Sequence, residues 1–439
     1  MNFLMKKYNF IIAFIAFSLF FCSCRKEKEK TPGVWNSAPV EVDNITPING
    51  GAIISYSVPK DDNLLYVMAE YERNGKIFTE KSSVYANTLK IEGFNLPLNS
   101  KVKANIYKVN KQEQRSEPQV IEFEPLEGLV SLAEKSLKLQ PGFGGIVANW
   151  DNQASTELGV RLMVPDEIKG GLKTREVFYS TVSSDKRAFR GFEPKPTNIA
   201  VTLEDKWGNT SDTVFYSTTP FFETLVPKPY ADYRANIPYD NITNLSGRTT
   251  NTLWDNIVNT ASHGWLTANG SSGLSITIDL KQVVKLSRII IHGYHINAVY
   301  GQVNIQQYEL WGTDKIDFAR LSDRPYWLDS LSVRWGALST TPWLVDPTTV
   351  LPAKTFKDDW QYLGWHAIPR YDLMVPPDNQ AALNLAANGT EYEMPIDAKP
   401  VRYVRLFVRQ VSNLMPPPAN NYFSMGEITF YGDNTVPQN

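Results

Sequence analysis

Short alternating runs of apolar and polar residues, separated by Pro, Gly, Asn and Asp, fill the chain from Thr31 onward. Alternation places successive side chains on opposite faces of a β-strand, and the separating residues favour turns. Predicted strands of this kind run from Ala52 to Val58 and from Leu65 to Tyr71. Asn74-Gly75, just after the second strand, predicts a hairpin turn because both residues accept a positive φ. The sequence therefore predicts an all-β protein.

An internal repeat divides the first half of the chain into two similar blocks. Gly50-Gly51 before one strand matches Gly144-Gly145 before another, and Gly93-Phe94 matches Gly191-Phe192 further along. Each block has the size of an immunoglobulin-like or fibronectin type III sandwich, roughly 100 residues. A chain of 439 residues suggests about three domains at roughly 150 residues each. We therefore expect three β-sandwich domains in tandem.

The domain boundaries are predicted from changes of pattern and from proline-rich segments. Two sandwich domains are expected over 33–125 and 126–222, and a third domain of different pattern over 223–439. Val226-Pro227-Lys228-Pro229 is interpreted as a linker, because consecutive X-Pro units stay extended. Gly128 to Leu139 is ambiguous between a helix and a strand.

Residues 1–23 have the pattern of a lipoprotein signal peptide. A pair of lysines precedes an apolar segment from Tyr8 to Phe21, which is too short for a permanent membrane span. The following Cys22-Ser23-Cys24 resembles the lipobox of bacterial lipoproteins, which implies that Cys24 is lipidated and anchors the protein to the membrane. Residues 24–32 then form a charged tether. The alternative is an ordinary secretory signal whose two cysteines are discarded.

Composition and motifs narrow the classes of function. The formal net charge of -2 gives no electrostatic reason to expect binding to nucleic acid. If Cys24 carries lipid, the mature chain has no cysteine for a disulfide, a reactive thiol or a thiolate metal site. The sequence shows no nucleophile elbow, Walker loop or His-Glu-x-x-His pattern. We therefore expect a protein that is not an enzyme.

Six segments of the third block resemble, in order, the coagulation factor V/VIII type C (discoidin) domain, a β-sandwich found in many bacterial carbohydrate-binding modules. The segments are Leu253 to Asp255, Leu274 to Leu280, Lys285 to Ile291, Tyr308 to Gly312, Val401 to Val408 and Met425 to Gly432. With the signal and the two small sandwiches, the whole chain resembles lipoproteins of Bacteroidetes polysaccharide-utilisation loci.

The resemblance implies a function and a location. It implies a lipid-anchored protein of the outer membrane, exposed at the cell surface, that binds a polysaccharide or oligosaccharide without cleaving it. An outer-membrane transporter complex is the implied protein partner. The alternative is a protein-interaction or structural component of an outer-membrane uptake complex.

A structural calcium ion is a second implication of the resemblance, because discoidin-like modules often hold Ca²⁺ at one rim. The matching ligand positions are Asp255, Thr260 and Glu427, and oxygen ligands of this kind suit Ca²⁺. Asn256 stands where Gly is usual, although Asn also tolerates the turn. The alternative is that Asp255 caps a turn and Glu427 lies at a strand end.

Aromatic residues are the candidate ligand contacts, because sugars offer an apolar face for stacking and hydroxyl groups for hydrogen bonds. Six of the 11 tryptophans fall between positions 311 and 365, in an aromatic-rich insertion. Tryptophans in an insertion can equally cover its own apolar surface. The candidates are Trp327, Trp335 and Trp360 in the insertion, and His263, Trp265, Tyr294, His295, Tyr300 and Tyr422 in loops.

Overall fold

A computed structural model describes residues 35–240, 244–258, 263–268, 274–294, 300, 303–328, 352–412 and 423–438. Strands dominate these ranges and form several sheets that pack as sandwiches in tandem, so the prediction of an all-β fold is confirmed. No helix in the described part of the chain has the length and apolar character needed to cross a membrane.

The first sandwich packs a three-stranded sheet, ordered β1-β2-β5, against a four-stranded sheet, ordered β4-β3-β6-β7. The predicted hairpin at Asn74-Gly75 joins β3 and β4, and both residues have positive φ, 49° and 74°. Apolar side chains of the two sheets, among them Ile54, Val67 and Ile106, form one buried core. The strands are β1 (Glu41–Ile48), β2 (Gly51–Ser57), β3 (Leu64–Arg73), β4 (Lys76–Ser83), β5 (Thr88–Ile91), β6 (Val102–Asn110) and β7 (Gln119–Phe123).

The second sandwich repeats this plan and adds a helix, α1 (Leu129–Ser136), within the segment whose pattern is ambiguous. Val130 and Ala133 on α1 are buried and join the core of this sandwich, which explains why a short helix is stable here. The sheets are ordered β12-β9-β8 and β11-β10-β13-β14. The strands are β8 (Lys138–Gly142), β9 (Gly145–Asp151), β10 (Leu158–Pro165), β11 (Leu172–Ser180), β12 (Ser184–Arg190), β13 (Thr197–Asp205) and β14 (Val214–Thr218).

The repeated glycines make equivalent hydrogen bonds in the two sandwiches. Gly50 accepts the backbone N–H of Phe94 at 2.9 Å. Gly144 accepts the backbone N–H of Phe192 at the same distance, 2.9 Å. Gly50 and Gly144 both have positive φ, 67° and 61°, a conformation that glycine adopts at no steric cost. The sequence repeat thus reflects one backbone arrangement used twice.

The third sandwich is built around β18, a 17-residue strand that belongs to both of its sheets. The first part of β18 pairs with β22 and the last part with β24. The order across the molecule is β15-β24-β18-β22-β19-β20, with β16 and β21 also paired to β18, while β17 pairs with β23. The strands are β15 (Thr224–Leu225), β16 (Ala231–Asp232), β17 (Trp265–Leu266), β18 (Ser275–Ile291), β19 (Ile305–Thr313), β20 (Gln361–Ala367), β21 (Thr390–Glu393), β22 (Val401–Val411), β23 (Ser424–Met425) and β24 (Ile428–Asp433).

Short helices complete the third sandwich. In the described part of this sandwich, two α-helices lie between the strands, α2 (Phe356–Asp359) before β20 and α3 (Asn379–Asn388) before β21. The side chain of Asp378 caps α3 by accepting the Ala381 N–H. Single turns of 3₁₀ helix occur at Arg234–Asn236, Thr250–Leu253, Phe318–Ser322, Arg324–Trp327 and Tyr371–Leu373.

The described part of the aromatic-rich insertion covers the outer face of the sheet that contains β19 and β22. Trp327, Phe356 and Trp360 are buried with Phe407 of β22 in a cluster separate from the main core of this sandwich. Arg405 lies among these rings, with its guanidinium carbon 4.5 Å from the centre of the Phe356 ring. The insertion therefore buries aromatic surface against the sheet and gives the third sandwich an additional layer.

The segment interpreted as a linker is packed. Val226 is buried, and its N–H donates to Phe430 of β24 at 2.9 Å. Tyr230 is also buried, and its hydroxyl accepts the Phe430 N–H at 3.1 Å. Hydrogen bonding to β24 explains the difference from the prediction, because an extended X-Pro segment can lie along a strand as well as in solvent.

Candidate functional site

Five of the predicted site residues lie outside the described residues. They are Cys24, Thr260, His295, Trp335 and Tyr422. The predictions of lipidation, of one calcium ligand and of three ligand contacts therefore remain predictions.

Four of the predicted aromatic contacts lie in the interior, which argues against the stacking role proposed for them. Trp265 is fully buried, packs edge to face on Phe423 with 5.2 Å between ring centres, and donates its indole N–H to Asn244. Trp327 and Trp360 are buried in the layer formed by the insertion, and Tyr294 is buried beneath its loop. A ring enclosed by protein offers no face to a sugar, so these side chains contribute to packing.

Tyr300 and His263 are partly exposed but are held by the protein. The Tyr300 hydroxyl donates to the Pro369 carbonyl at 2.9 Å and accepts the Tyr371 N–H at 3.1 Å. The Nε2 atom of His263 lies 2.8 Å from Oδ2 of Asp255. Both side chains therefore stabilise loops, and a ligand would have to compete with these bonds.

A buried ammonium group lies among the residues implied as calcium ligands. Nζ of Lys228 contacts Oε1 of Glu427, and it also donates to Oγ1 of Thr429 at 2.8 Å and to Oδ1 of Asn256 at 3.1 Å. Asn256 has φ 65°, the turn conformation expected of an Asn in place of Gly. Asp255, the preceding residue, accepts the Ile257 N–H at 3.0 Å through Oδ1. Oε1 of Glu427 and both carboxylate oxygens of Asp255 thus already have partners within the chain.

The electrostatics of Glu427 reflect its position. Burial raises the pKa of its carboxyl group, and the charge of Asp255 acts in the same direction. The Lys228 ammonium and the Asn256 N–H oppose this rise. Within the described ranges, no group of three His, Cys, Asp or Glu side chains is placed to hold a metal ion. The described donor set therefore does not fit Ca²⁺, which prefers six to eight oxygen ligands.

Two aromatic side chains of β20, Tyr362 and Trp365, are exposed on the outer face of the sheet. The exposed fraction is 47% for Tyr362 and 53% for Trp365. Trp365 lies opposite Glu309 of β19, and Tyr362 lies opposite Trp311 of the same strand. Residues directly opposite in a sheet, and residues two apart in a strand, share a face. Tyr362 and Trp365, hereafter the exposed aromatic pair, therefore lie on one face with Glu309 and Trp311.

Polar groups lie beside the exposed aromatic pair. Oε2 of Glu309 accepts hydrogen bonds from Arg409 at 2.7 Å, from the Trp311 indole at 3.0 Å and from Lys357 at 3.3 Å. Burial alone would raise the pKa of Glu309, but the hydrogen bond and charge of Arg409 hold it below its ordinary value. An ionised carboxylate and a guanidinium group thus lie next to two exposed rings, an arrangement that can stack on and hydrogen-bond to a sugar.

Sequence reasoning placed Tyr362 and Trp365 in the aromatic-rich segment but did not select them as contacts. Glu309 and Arg409 were not identified at all. Alternation along β20 would put Tyr362 and Trp365 on opposite faces, because they are three positions apart, and the register shift between Leu310 and Trp311 is what brings them to one face. Nothing local links Arg409 to Glu309, since 100 positions separate them in the chain.

A small cavity lies between the second and third sandwiches. It has a volume of about 100 Å³ and is lined by residues of the second and third sandwiches, including Phe143, Arg190 and Met394. Ligand pockets usually measure at least roughly 300 Å³. We therefore consider the open face that carries the exposed aromatic pair as the candidate site.

Comparison with known families matches the chain to three domains of unknown function. DUF4959 matches residues 37–125, DUF5126 matches residues 126–229 and DUF5000 matches residues 254–432. Their descriptions name no activity or ligand. No curated protein matches the chain.

Among solved structures, the chain is similar to a SusE-like protein, with 17% identity, coverage of 70% of this chain and 99% of that chain, and a TM-score of 0.36. It is similar to CBM32-3 from a family 31 glycoside hydrolase of Clostridium perfringens, with 13% identity, coverage of 46% and 95%, and a TM-score of 0.25. A family 89 glycoside hydrolase from Clostridium perfringens matches at 14% identity, with coverage of 48% of this chain but 15% of that chain, and a TM-score of 0.26.

Proposed function

We propose that the chain is a non-catalytic carbohydrate-binding lipoprotein of a bacterial cell surface, with its binding face on the third sandwich. The observation that carries the proposal is the exposed aromatic pair, Tyr362 and Trp365, beside the Glu309–Arg409 ion pair. The two rings lie on the same face, and adjacent exposed apolar groups mark an interaction site more often than a single exposed ring does. The apolar face of a sugar ring would stack on the two aromatic rings, and the sugar hydroxyl groups would form hydrogen bonds with Glu309 and Arg409.

The proposed absence of catalysis is supported by how the charged groups are held. Glycoside hydrolysis usually needs one carboxylic acid that stays protonated and a second carboxylate across the glycosidic bond. Glu309 has a lowered pKa and is held by Arg409, so it is suited to accept hydrogen bonds rather than to donate a proton. Binding is therefore the activity that this face supports.

Membrane attachment completes the proposal. The resemblance of residues 22–24 to a lipobox supports lipidation at Cys24, followed by a charged tether and two sandwiches between the membrane and the third sandwich. We place the protein in the outer membrane, facing outward, where it would capture polysaccharide for an uptake system with a transporter partner. The resemblance to lipoproteins of Bacteroidetes polysaccharide-utilisation loci supports this placement.

The test is a binding assay with a panel of polysaccharides and oligosaccharides, using the chain from Arg25 onward. We expect at least one glycan to bind, and Trp365→Ala to weaken that binding by about fivefold, because one stacked ring contributes roughly 1 kcal/mol. Tyr362→Ala should weaken the same binding to a smaller extent. Both positions are exposed, so neither variant should alter folding.

Phe215→Ala is the matched control, because Phe215 is an exposed aromatic residue of β14 in the second sandwich. It should bind the glycan as the unaltered chain does. Failure of a folded chain to bind any glycan would contradict the proposed function. Glycan binding that is unaffected by Trp365→Ala would instead contradict the assignment of the face.

A further inference from the structure

Lys228 connects three separate segments of the third sandwich. It lies in the leading segment between β15 and β16, and its ammonium reaches Asn256 in the loop after the Thr250–Leu253 turn. The same ammonium contacts Glu427 and Thr429 at the start of β24. Glu427 additionally accepts the Asn256 N–H at 3.2 Å. The leading segment, the Asn256 loop and the start of β24 thus meet at one cation.

The ammonium is fully coordinated and shielded from water. A lysine ammonium has three N–H donors, and here it has three oxygen acceptors, on Asn256, Glu427 and Thr429. The side chains of Lys228 and Glu427 are only 8% and 2% exposed. Buried charges persist when they are paired and hydrogen-bonded, and this pair meets both conditions.

Among the described residues, no set of oxygen atoms beside this group suits a calcium ion. It would have to displace the ammonium from Glu427 or lie next to it, and two cations at that distance repel each other. Of the Asp255 carboxylate, Oδ1 accepts the Ile257 N–H and Oδ2 faces His263. Oε2 of Glu427 is buried without a hydrogen-bond partner among the described residues, but one oxygen is far short of a calcium shell.

We propose that Lys228 takes the place of the structural calcium ion, so that an internal ammonium fixes the Asn256 loop and the third sandwich folds independently of metal. There is a physical reason why an ammonium group can replace a calcium ion here. An ammonium is a compact cation with directed donors, and it can bridge a carboxylate, an amide oxygen and a hydroxyl as a metal ion would. Unlike a metal ion, it cannot dissociate from the chain.

Calorimetric melting of the chain from Arg25 onward tests this proposal. The melting temperature of the unaltered protein should be the same with excess calcium chloride and with EGTA. Lys228→Met keeps the length of the side chain but removes its charge, and it should lower the melting temperature of the third sandwich by roughly 10 °C, because Glu427 is left buried and unpaired. The double variant Lys228→Met/Glu427→Gln should recover part of that loss.

Lys354→Met is the matched control, because Lys354 pairs with Asp359 at 2.7 Å in the same sandwich but is 52% exposed. It should melt close to the unaltered protein. A calcium-dependent rise in the melting temperature of the unaltered protein would overturn the proposal, and this measurement stands even if Lys228→Met fails to fold. A Lys228→Met variant that melts like the Lys354→Met variant would also overturn it.

Discussion

Arg190 at the end of β12 and Glu223 before β15 form an ion pair between the second and third sandwiches, with 3.1 Å between Nη1 and Oε1. Glu223 also accepts from Nε of Arg288 at 3.2 Å, and Arg190 reaches Glu393 of β21 at 2.5 Å. The Glu223 side chain is 8% exposed, so this network is largely shielded from solvent. A network of charged groups thus fixes the third sandwich relative to the second.

Removing the central charge of this network should loosen the junction. Glu223→Gln leaves Arg190 and Arg288 facing each other without their shared carboxylate, which should cost about 2 kcal/mol of stability at the junction. Small-angle X-ray scattering should show a larger radius of gyration as the two sandwiches separate. Glu193→Gln is the control, since Glu193 and Lys195 form an exposed pair. Identical scattering by both variants would contradict a role of Glu223 in holding the junction.

Removing the charge of Arg405, which forms a buried pair with Asp240, should destabilise the protein far more than removing the charge of Arg402 on the same strand. Both side chains are fully buried, with 3.0 Å between Nη2 and Oδ1. Arg405→Met leaves the Asp240 carboxylate buried and unpaired, and should cost about 3 to 5 kcal/mol of unfolding free energy. The double variant Arg405→Met/Asp240→Asn should regain a large part of the lost unfolding free energy. Urea denaturation followed by tryptophan fluorescence measures the unfolding free energy of each variant.

Arg402→Met is the control for this prediction. Arg402 pairs with Asp279 at 2.8 Å and is 40% exposed, and the buried Asp279 keeps a hydrogen bond from the Lys281 N–H at 2.7 Å, so the loss of Arg402 should cost only about 1 to 2 kcal/mol. If Arg402→Met and Arg405→Met lower the unfolding free energy equally, burial does not determine how much each ion pair contributes to stability.

The stability of the third sandwich should fall between pH 6.5 and 4 because of His366. Burial lowers the pKa of His366 from 6.5 to about 4, and the Tyr392 ring lies 4.4 Å away, centre to centre. Between these values the unfolded chain binds a proton that the folded chain does not, so stability decreases as the pH falls. The full effect is about 3 kcal/mol, at about 1.4 kcal/mol for each pH unit.

His366→Phe should flatten that part of the stability curve, as measured by urea denaturation at a series of pH values. Carboxylates with lowered pKa, such as Glu309 and Asp372, contribute equally to both proteins and cancel in the difference. Tyr392→Phe removes only a neighbouring hydroxyl and should keep the slope of the unaltered chain. A slope unchanged by His366→Phe would assign the pH dependence to other groups.

Lipid attachment is predicted at one of two nearby cysteines. Cys24→Ser should abolish incorporation of labelled fatty acid and release the protein from the membrane fraction, because the acyl chains supply the membrane affinity. The Cys22→Ser variant should still incorporate fatty acid and remain in the membrane fraction, since Cys22 is removed with the signal. Loss of labelling in Cys22→Ser but not in Cys24→Ser would contradict the lipobox assignment, and an unaltered chain that incorporates no fatty acid would indicate an ordinary secretory signal.

Local patterns in the sequence predicted the strands and turns but not which aromatic rings are exposed. The positive φ at Asn74 and Gly50 follows from local chemistry, which a short window of sequence contains. Trp327 and Trp360 were proposed as contacts, yet they are buried because the insertion folds back over Phe407, 80 and 47 positions away in the chain. Lys228 was interpreted as part of a linker, since its partners Glu427 and Thr429 lie about 200 positions further on. Contacts between residues far apart in the chain decide which of these side chains are buried, and the alternation along a single strand does not predict such contacts.

The strand β18 makes the third sandwich indivisible in a way that the other two are not. Its 17 residues serve both sheets, because the first part of β18 pairs with β22 and the last part with β24, so a fragment that lacks either part loses pairing in one of the two sheets. Each of the small sandwiches encloses its own core between sheets made only of its own strands. Recombination could therefore add or remove a small sandwich and change the reach of the protein, while the third sandwich must be inherited whole.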